Sequence, residues 1–128
     1  MLCMIVDDDE NFLRVARELL EGEGITVVGV STGAQACRTS RQLHPDVALV
    51  DINLGTETGF DVARLLASKA ETDPPQVILI SASPREASRE MIADSPAVSF
   101  LPKENLSGTA IRAILARTSS PPPQRDSR

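Results

Sequence analysis

Long apolar runs are missing from this chain. No stretch approaches the ~20 residues that a bilayer-spanning helix needs, and no basic region precedes a secretory apolar segment at the N-terminus. Membrane-spanning and secreted classes are thereby set aside, and a cytoplasmic location is expected. Cysteine is scarce: Cys3 falls in an apolar run and Cys37 in a helical pattern, with neither metal-ligand spacing nor a disulfide framework between them. There is one histidine, His44, next to Pro45 in an expected loop, and it is read as neither a metal ligand nor a donor of any group. Positive charge is in deficit as well, with a formal net charge of −5. Residues 117–128 carry +2, so residues 1–116 carry −7. A direct nucleic-acid partner, which wants a basic face, is not expected. No internal repeat is visible.

The 128 residues suit one domain, and 41% hydrophobic with 24% charged residues is ordinary for a soluble protein. The end of the chain, from Thr118-Ser119-Ser120-Pro121-Pro122-Pro123 onward, is proline-rich and lacks apolar residues. Residues 117–128 are therefore read as a disordered or extended tail on a domain of residues 1–116.

Within that domain, Leu2-Cys3-Met4-Ile5-Val6, Val47-Ala48-Leu49-Val50, Val77-Ile78-Leu79-Ile80 and Val98-Ser99-Phe100-Leu101 are short, branched and non-alternating. Strands buried on both faces read this way. Thr26-Val27-Val28-Gly29-Val30 is weaker, with a glycine at its centre, and is placed at the sheet edge. Helical patterns lie between. Phe12, Ala16, Leu19 and Leu20 share one face, as do Ala110, Ile111, Ile114 and Leu115, with Asp9 and Ser107 as expected N-caps. A helix from Gly59 places Val62, Ala63, Leu65 and Leu66 inward and runs until Asp73-Pro74-Pro75 stops it. Residues 33–43 and 84–93 read as helices less clearly, the second with only Ala87, Met91 and Ile92 as a core face. Alternation of this kind implies right-handed crossovers and a doubly wound α/β domain, a five-stranded parallel sheet with helices on both faces. The matching order is 2-1-3-4-5, flavodoxin-like, and ligands bind such folds outside the carboxyl ends of the strands.

The polar residues at those ends form a pattern. Asp7, Asp8, Asp9 and Glu10 directly follow the first run, where carboxylates repel one another and lose hydration unless a cation joins them. A hard ion such as Mg2+ is the natural partner for Asp7 and Asp8, with Mn2+ an alternative, while Asp9 and Glu10 favour the N-terminus of the following helix. Asp51 ends the third run beside that cluster and can act as a nucleophile toward phosphorus, and Asn53 can offer its backbone carbonyl to the same ion. Alone, Asp51 would more often form a turn. Ser81 ends the fourth run and can donate to a phosphoryl oxygen, and Lys103 after the fifth can set an ammonium against the same group. Taken singly, these two are an ordinary strand-end hydroxyl and a surface lysine; acid, acid, hydroxyl and ammonium at four strand ends make them one set.

With Ile5-Val6-Asp7-Asp8-Asp9-Glu10, Val50-Asp51-Ile52-Asn53-Leu54 followed by Gly59, Ile80-Ser81-Ala82 and Phe100-Leu101-Pro102-Lys103, the chain resembles the receiver domain of two-component response regulators, the fold of the chemotaxis regulator. The resemblance covers residues 1 to about 116. It implies Asp51 as phospho-acceptor, Asp8 as a direct Mg2+ ligand, Asp7 as a ligand directly or through water, and Asn53 as a carbonyl ligand. Ser81 and Lys103 would bind the phosphoryl group, and Ser81 with Phe100 would form the switch pair of hydroxyl and ring. Phe100 lacks a phenolic hydroxyl, so it can fill a pocket without a tyrosine's hydrogen bond; plain core packing is its other reading.

Two departures from the family pattern stand out. Gly55 occupies the place where many receivers have proline, which leaves that loop without a fixed φ. Lys103 precedes Glu104 rather than proline, and because a non-proline cis bond costs roughly 2.5–4 kcal/mol the peptide is expected to be trans.

The function expected from this resemblance is a stand-alone receiver that is not itself an enzyme. A histidine kinase, a phosphotransfer protein or a small donor such as acetyl phosphate phosphorylates it, and it then switches a surface toward a downstream protein partner. It would be a monomer or a phosphorylation-dependent homodimer. The alternatives are a scaffold that keeps the fold without phosphorylation, or the receiver half of a truncated DNA-binding regulator. A phosphohydrolase would need an acid at position 53, which is asparagine. A flavin-binding domain would want a phosphate loop where Asp7 to Glu10 stand.

Overall fold

A computed structural model describes residues 1–68, 73–83 and 88–119. Among the described residues five strands and five helices alternate: β1 (Leu2–Val6), α1 (Glu10–Glu21), β2 (Thr26–Val30), α2 (Gly33–Leu43), β3 (Val47–Asp51), α3 (Gly59–Leu66), β4 (Gln76–Ser81), α4 (Arg89–Asp94), β5 (Ser99–Pro102) and α5 (Gly108–Ser119). A short 3-10 turn over Lys103–Asn105 joins β5 to α5. The strands form one parallel sheet in the order β2-β1-β3-β4-β5, so the glycine-bearing strand is at an edge as expected. Among the described residues no helix is long and apolar enough to cross a membrane.

The non-alternating strand sequences follow from two separate cores. Cys3 and Ile5 of β1, Val47 and Leu49 of β3, and Ile78 and Ile80 of β4 bury against Ala16 and Leu20 of α1 and Ile111 and Ile114 of α5. Their neighbours Met4, Val6, Ala48, Val50, Val77 and Leu79 face the other way, onto Ala36 of α2 and Val62, Ala63 and Leu66 of α3. Because successive side chains alternate across a strand, a sheet covered on both sides needs apolar residues at every position.

The helix ends are set locally. Asp9 caps α1 by accepting from Asn11 N and Phe12 N, and Thr32, Thr58 and Ser88 cap α2, α3 and α4. Ser107 caps α5, accepting from Ala110 N at 3.0 Å.

Several expectations need correction. Leu19, Leu65 and Met91, expected inward, are 42%, 51% and 49% exposed. The inward stripe of α1 is carried by Ala16 and Leu20 at i and i+4, with Phe12 packed beside them, which leaves Leu19 at its margin. On α3, Phe60, Val62, Ala63 and Leu66 fill the inner face. Helix α3 stops at Leu66, ahead of the Asp73-Pro74-Pro75 signal. Helix α4 begins at Arg89 and buries no residue fully, and Ile92 is the side chain that packs on the core; residues 84–87, read as its start, lie outside the described residues. Helix α5 continues to Ser119, into the segment assigned to the tail, and residues 120–128 lie outside the described residues.

Candidate functional site

All the charged strand-end residues converge at the carboxyl edge of the sheet. Asp7 directly follows β1 and is fully buried; its backbone N donates to the Val30 carbonyl, and its Oδ1 accepts from Asp9 N at 2.9 Å. Asp8, next in the chain, is exposed. Asp51 is the last residue of β3 and 6% exposed. Pairing of β1 with β3 sets Val6 beside Val50, so the two acidic strand ends are neighbours.

Carboxylate oxygens of Asp7, Asp8 and Asp51 lie within 4.8 Å of one another. Three acids this close suit a hard divalent cation. A second observation fits it: Asp7 Oδ2 is buried with the Lys103 ammonium 2.7 Å away as its charge partner, so the pocket already holds a positive charge against its acids. A buried carboxylate needs such a partner. A donor set of carboxylate oxygens is what a hard ion such as Mg2+ takes.

Lys103 closes the other side of the cluster. Its Nζ donates to Asp51 Oδ2 at 3.1 Å and sits 4.3 Å from the centroid of the Phe12 ring. Burial alone would pull the ammonium's pKa down, but the Asp7 and Asp51 carboxylates outweigh it and hold the pKa above its ordinary value. The Lys103–Glu104 peptide is trans.

Asp51 is pushed up to about 6, chiefly by burial; the Asn53 N–H opposes this, Asp7 adds repulsion, and Lys103 opposes again. Asn53 N donates to Asp51 Oδ1 at 3.1 Å, so each carboxylate oxygen has one donor. Asn53 itself is exposed. The following loop is a tight hairpin in which Asn53 and Thr58 pair and Gly55 adopts φ +82°. That angle is closed to proline, whose φ is fixed near −65°.

Ser81 ends β4 and is buried, with its hydroxyl engaged locally: Oγ donates to the Ser83 carbonyl at 2.8 Å and accepts from Ser83 N at 3.0 Å. Phe100, on β5, is partly buried against the core on the α2 and α3 side. Asp7, Asp8 and Asp51 are thus gathered into one cluster, with Lys103 paired to Asp7 and Asp51. Ser81 stands at the adjacent strand end with its hydrogen bond directed along its own loop, and Phe100 packs away from the cluster.

One contributor carried no clear sequence signal. Phe12 read as a core residue of α1, and nothing in its spacing pointed to Lys103. Gly59 was noted for its distance from Asp51, and the structure supplies the reason: a Cβ there would overlap the Asp51 carbonyl. Cys3 is buried and its thiol is pushed up to about 12, which keeps it inert. His44 ends α2 in a left-handed conformation, beside Asp46 and Gln76 at the strand starts. A cavity of about 450 Å³ lined by Met1, Asp46, Gln76 and Leu115 lies at the opposite edge of the sheet, near the strand starts.

The chain is similar to known proteins. The family model of the response regulator receiver domain matches residues 3–115. The polar-differentiation response regulator DivK of Brucella ovis is 29% identical over 100 residues, covering 78% of this chain and 81% of that protein. The DNA-binding response regulator MtrA of Mycolicibacterium smegmatis is 36% identical over 76 residues, 59% of this chain and 32% of that protein. A solved response regulator receiver protein from Burkholderia phymatum matches with a TM-score of 0.74 at 25% identity, covering 96% of this chain and 98% of the other.

Proposed function

The chain belongs to the response regulator receiver domain family of two-component signalling, and from that premise we propose that Asp51 accepts a phosphoryl group from a histidine kinase or phosphotransfer protein. The observation that carries this reading is the position of Asp51: a buried strand-end carboxylate in ligand distance of Asp7 and Asp8 and in hydrogen-bond distance of Lys103.

Asp7, Asp8, Asp51 and the Asn53 backbone carbonyl would hold Mg2+ or Mn2+. When bound, such an ion supplies neutralisation of charge on the phosphoryl oxygens. The chain's own residues do the rest. An Asp51 oxygen forms a bond to phosphorus as the bond from phosphorus to the donor atom breaks, giving an aspartyl phosphate. Lys103, already 3.1 Å from Asp51 Oδ2, turns its ammonium to the new phosphoryl oxygens. Ser81 exchanges its hydrogen bond to Ser83 for one to the phosphoryl group, which moves the loop after β4. Phe100 on β5 then repacks with that loop, and the surface formed by α4, β5 and α5 changes the protein partner it favours. The added charge biases two pre-existing conformations.

The protein is thus a phospho-acceptor rather than an enzyme acting on a separate substrate, cytoplasmic, and either a monomer or a dimer formed on phosphorylation. Intact-mass spectrometry after incubation with acetyl phosphate and Mg2+ tests the reading. A single phosphoryl adduct is expected, absent in Asp51→Asn and absent with EDTA. An adduct that survives Asp51→Asn would move the acceptor elsewhere. No adduct from acetyl phosphate or from several histidine kinases, together with no Mg2+ binding, would leave a scaffold that keeps the fold without the chemistry.

A further inference from the structure

The turn after Asp51 is fastened from outside. Between Asn53 and Thr58 the chain folds back on itself, with these two residues paired, Leu54 N donating to the Glu57 carbonyl at 3.1 Å, and Gly55 N donating to Asn53 Oδ1 at 3.1 Å. This hairpin borders the acidic cluster: a Cβ on Gly55 would lie 3.3 Å from Asp8 Oδ2. Its geometry therefore decides where the Asn53 carbonyl stands relative to the three carboxylates.

Two side chains link the hairpin to the next layer of the fold: Leu54 buries in the core shared with α2 and α3, and Glu57 makes the polar link. Glu57, half-buried, reaches across to α2, where its Oε2 accepts from the backbone N of Gly33 at 2.9 Å. Gly33 is the first residue of that helix. A Cβ there would come within 2.6 Å of Glu57 Oε1 and 3.0 Å of Val62 Cγ2, so the bare backbone is what admits the carboxylate. The bond is charge-assisted and sits at the positive end of the helix, where an acid is favoured. Capping of α2 does not depend on it, since Thr32 Oγ1 already accepts from Gln35 N at 3.1 Å.

We propose that Glu57 is a positioning residue for the cation site: by clamping the Asn53–Thr58 hairpin to the N-terminus of α2, it holds the Asn53 carbonyl in place before the ion arrives. The proposal rests on the metal-dependent reading above. Groups that orient ligands without touching the ion commonly change metal affinity by about 10- to 100-fold, and Glu57 acts on the ion through Asn53.

Calorimetric titration of the full chain with Mg2+, beside thermal unfolding of each variant, tests it. Glu57→Gln keeps the reach and an acceptor oxygen without the charge, and Glu57→Asp keeps the charge but falls short of Gly33. The expected result is near wild-type affinity for Glu57→Gln, and about tenfold weaker binding for Glu57→Asp and Glu57→Ala. Glu23→Ala, which removes a comparable bond that Glu23 accepts from Gly108 N at the start of α5, should lower the melting temperature and leave Mg2+ affinity unchanged. Equal losses in Glu57→Gln and Glu57→Ala would make the effect one of charge and overturn the clamp, as would loss of affinity in Glu23→Ala or wild-type affinity in Glu57→Asp. A wild-type chain that takes up no Mg2+ would overturn the metal reading, and this proposal with it. Should Glu57→Ala fail to fold, the Gln and Asp variants decide the matter between them.

Discussion

Lys103 Nζ lies 2.7 Å from Asp7 Oδ2, an ion pair that spans the carboxyl edge of the sheet from the turn after β5 to the end of β1. Its partners are shielded, with the Lys103 side chain 13% exposed and Asp7 wholly buried. Without a metal ion, the ammonium is the positive charge set among these acids. Removing one member of a buried pair leaves the other uncompensated, a loss that reaches about 3–5 kcal/mol in closed interiors.

Lys103→Met should therefore lower the melting temperature of the metal-free protein by several degrees. Added Mg2+ should raise the melting temperature of Lys103→Met by more than it raises that of the wild type, because the ion takes over the charge the ammonium supplied. Thermal unfolding with and without Mg2+ measures both. A Mg2+ increment equal in the two proteins would mean that Lys103 and the cation do not share the site.

Asp51 gives a pH signature. Its pKa is pushed from the ordinary 3.8 to about 6, chiefly by burial. A carboxyl with a higher pKa in the folded than in the unfolded chain binds its proton more tightly when folded. Its contribution to stability is then present below about 4 and lost as the pH rises through about 6. Metal-free Asp51→Asn should be more stable than the wild type at pH 7.5, by on the order of 1 kcal/mol once screening by nearby water is allowed for. The gap should close by about pH 4. Urea unfolding across that range reads it, and a constant gap would remove Asp51 ionisation as the cause.

Two glycines, Gly55 in the loop after Asp51 and Gly59 at the start of α3, differ in what they tolerate. Gly59 is buried where a Cβ would overlap the Asp51 carbonyl, so Gly59→Ala should cost about 3 kcal/mol in urea unfolding and weaken Mg2+ binding as Asp51 is displaced. Gly55 holds φ +82°. Gly55→Ala should cost about 1 kcal/mol, for the left-handed conformation, and Gly55→Pro clearly more, since proline cannot adopt it. Gly55→Pro as stable as the wild type would show that this loop has a second conformation available.

These glycines also mark how far the sequence could be read. The strand ends were legible because a sheet buried on both faces writes unbroken apolar runs, and the polar residue that breaks each run stands at the carboxyl edge. Asp7, Asp51, Ser81 and Lys103 were found in this way, and the parallel order placed the first two side by side. The loop was only half legible: the absence of proline at position 55 suggested freedom, whereas the structure has a defined left-handed turn. Contacts made across the fold left no local trace. Glu57 meets Gly33, and Glu23 accepts from Gly108 N at 2.7 Å across 85 residues, without any periodicity to announce either bond. The outward turn of Leu19, Leu65 and Met91 escaped for a related reason, since a helical stripe has margins that only packing assigns.

Phe12 supplies the last test, because it separates packing from electrostatics under Lys103. The ring is on the inward side of α1, packed against the core, and the ammonium stands 4.3 Å from its centroid. A cation over a ring face gains about 0.5–1 kcal/mol at exposed sites and more when desolvated, and the ring also fixes where a long, flexible lysine side chain ends. Phe12→Leu keeps an apolar side chain and removes the ring face. Its melting temperature should fall by a few degrees, with Mg2+ affinity little changed, since Phe12 is not among the residues proposed as ligands. Phosphorylation by acetyl phosphate should slow several-fold, because Lys103 would be less often aimed at the incoming phosphoryl oxygens. Time-resolved intact-mass measurement at saturating Mg2+ gives the rate. If the rate holds while the melting temperature falls, the ring serves packing alone and Lys103 is oriented by Asp7 and Asp51 without it.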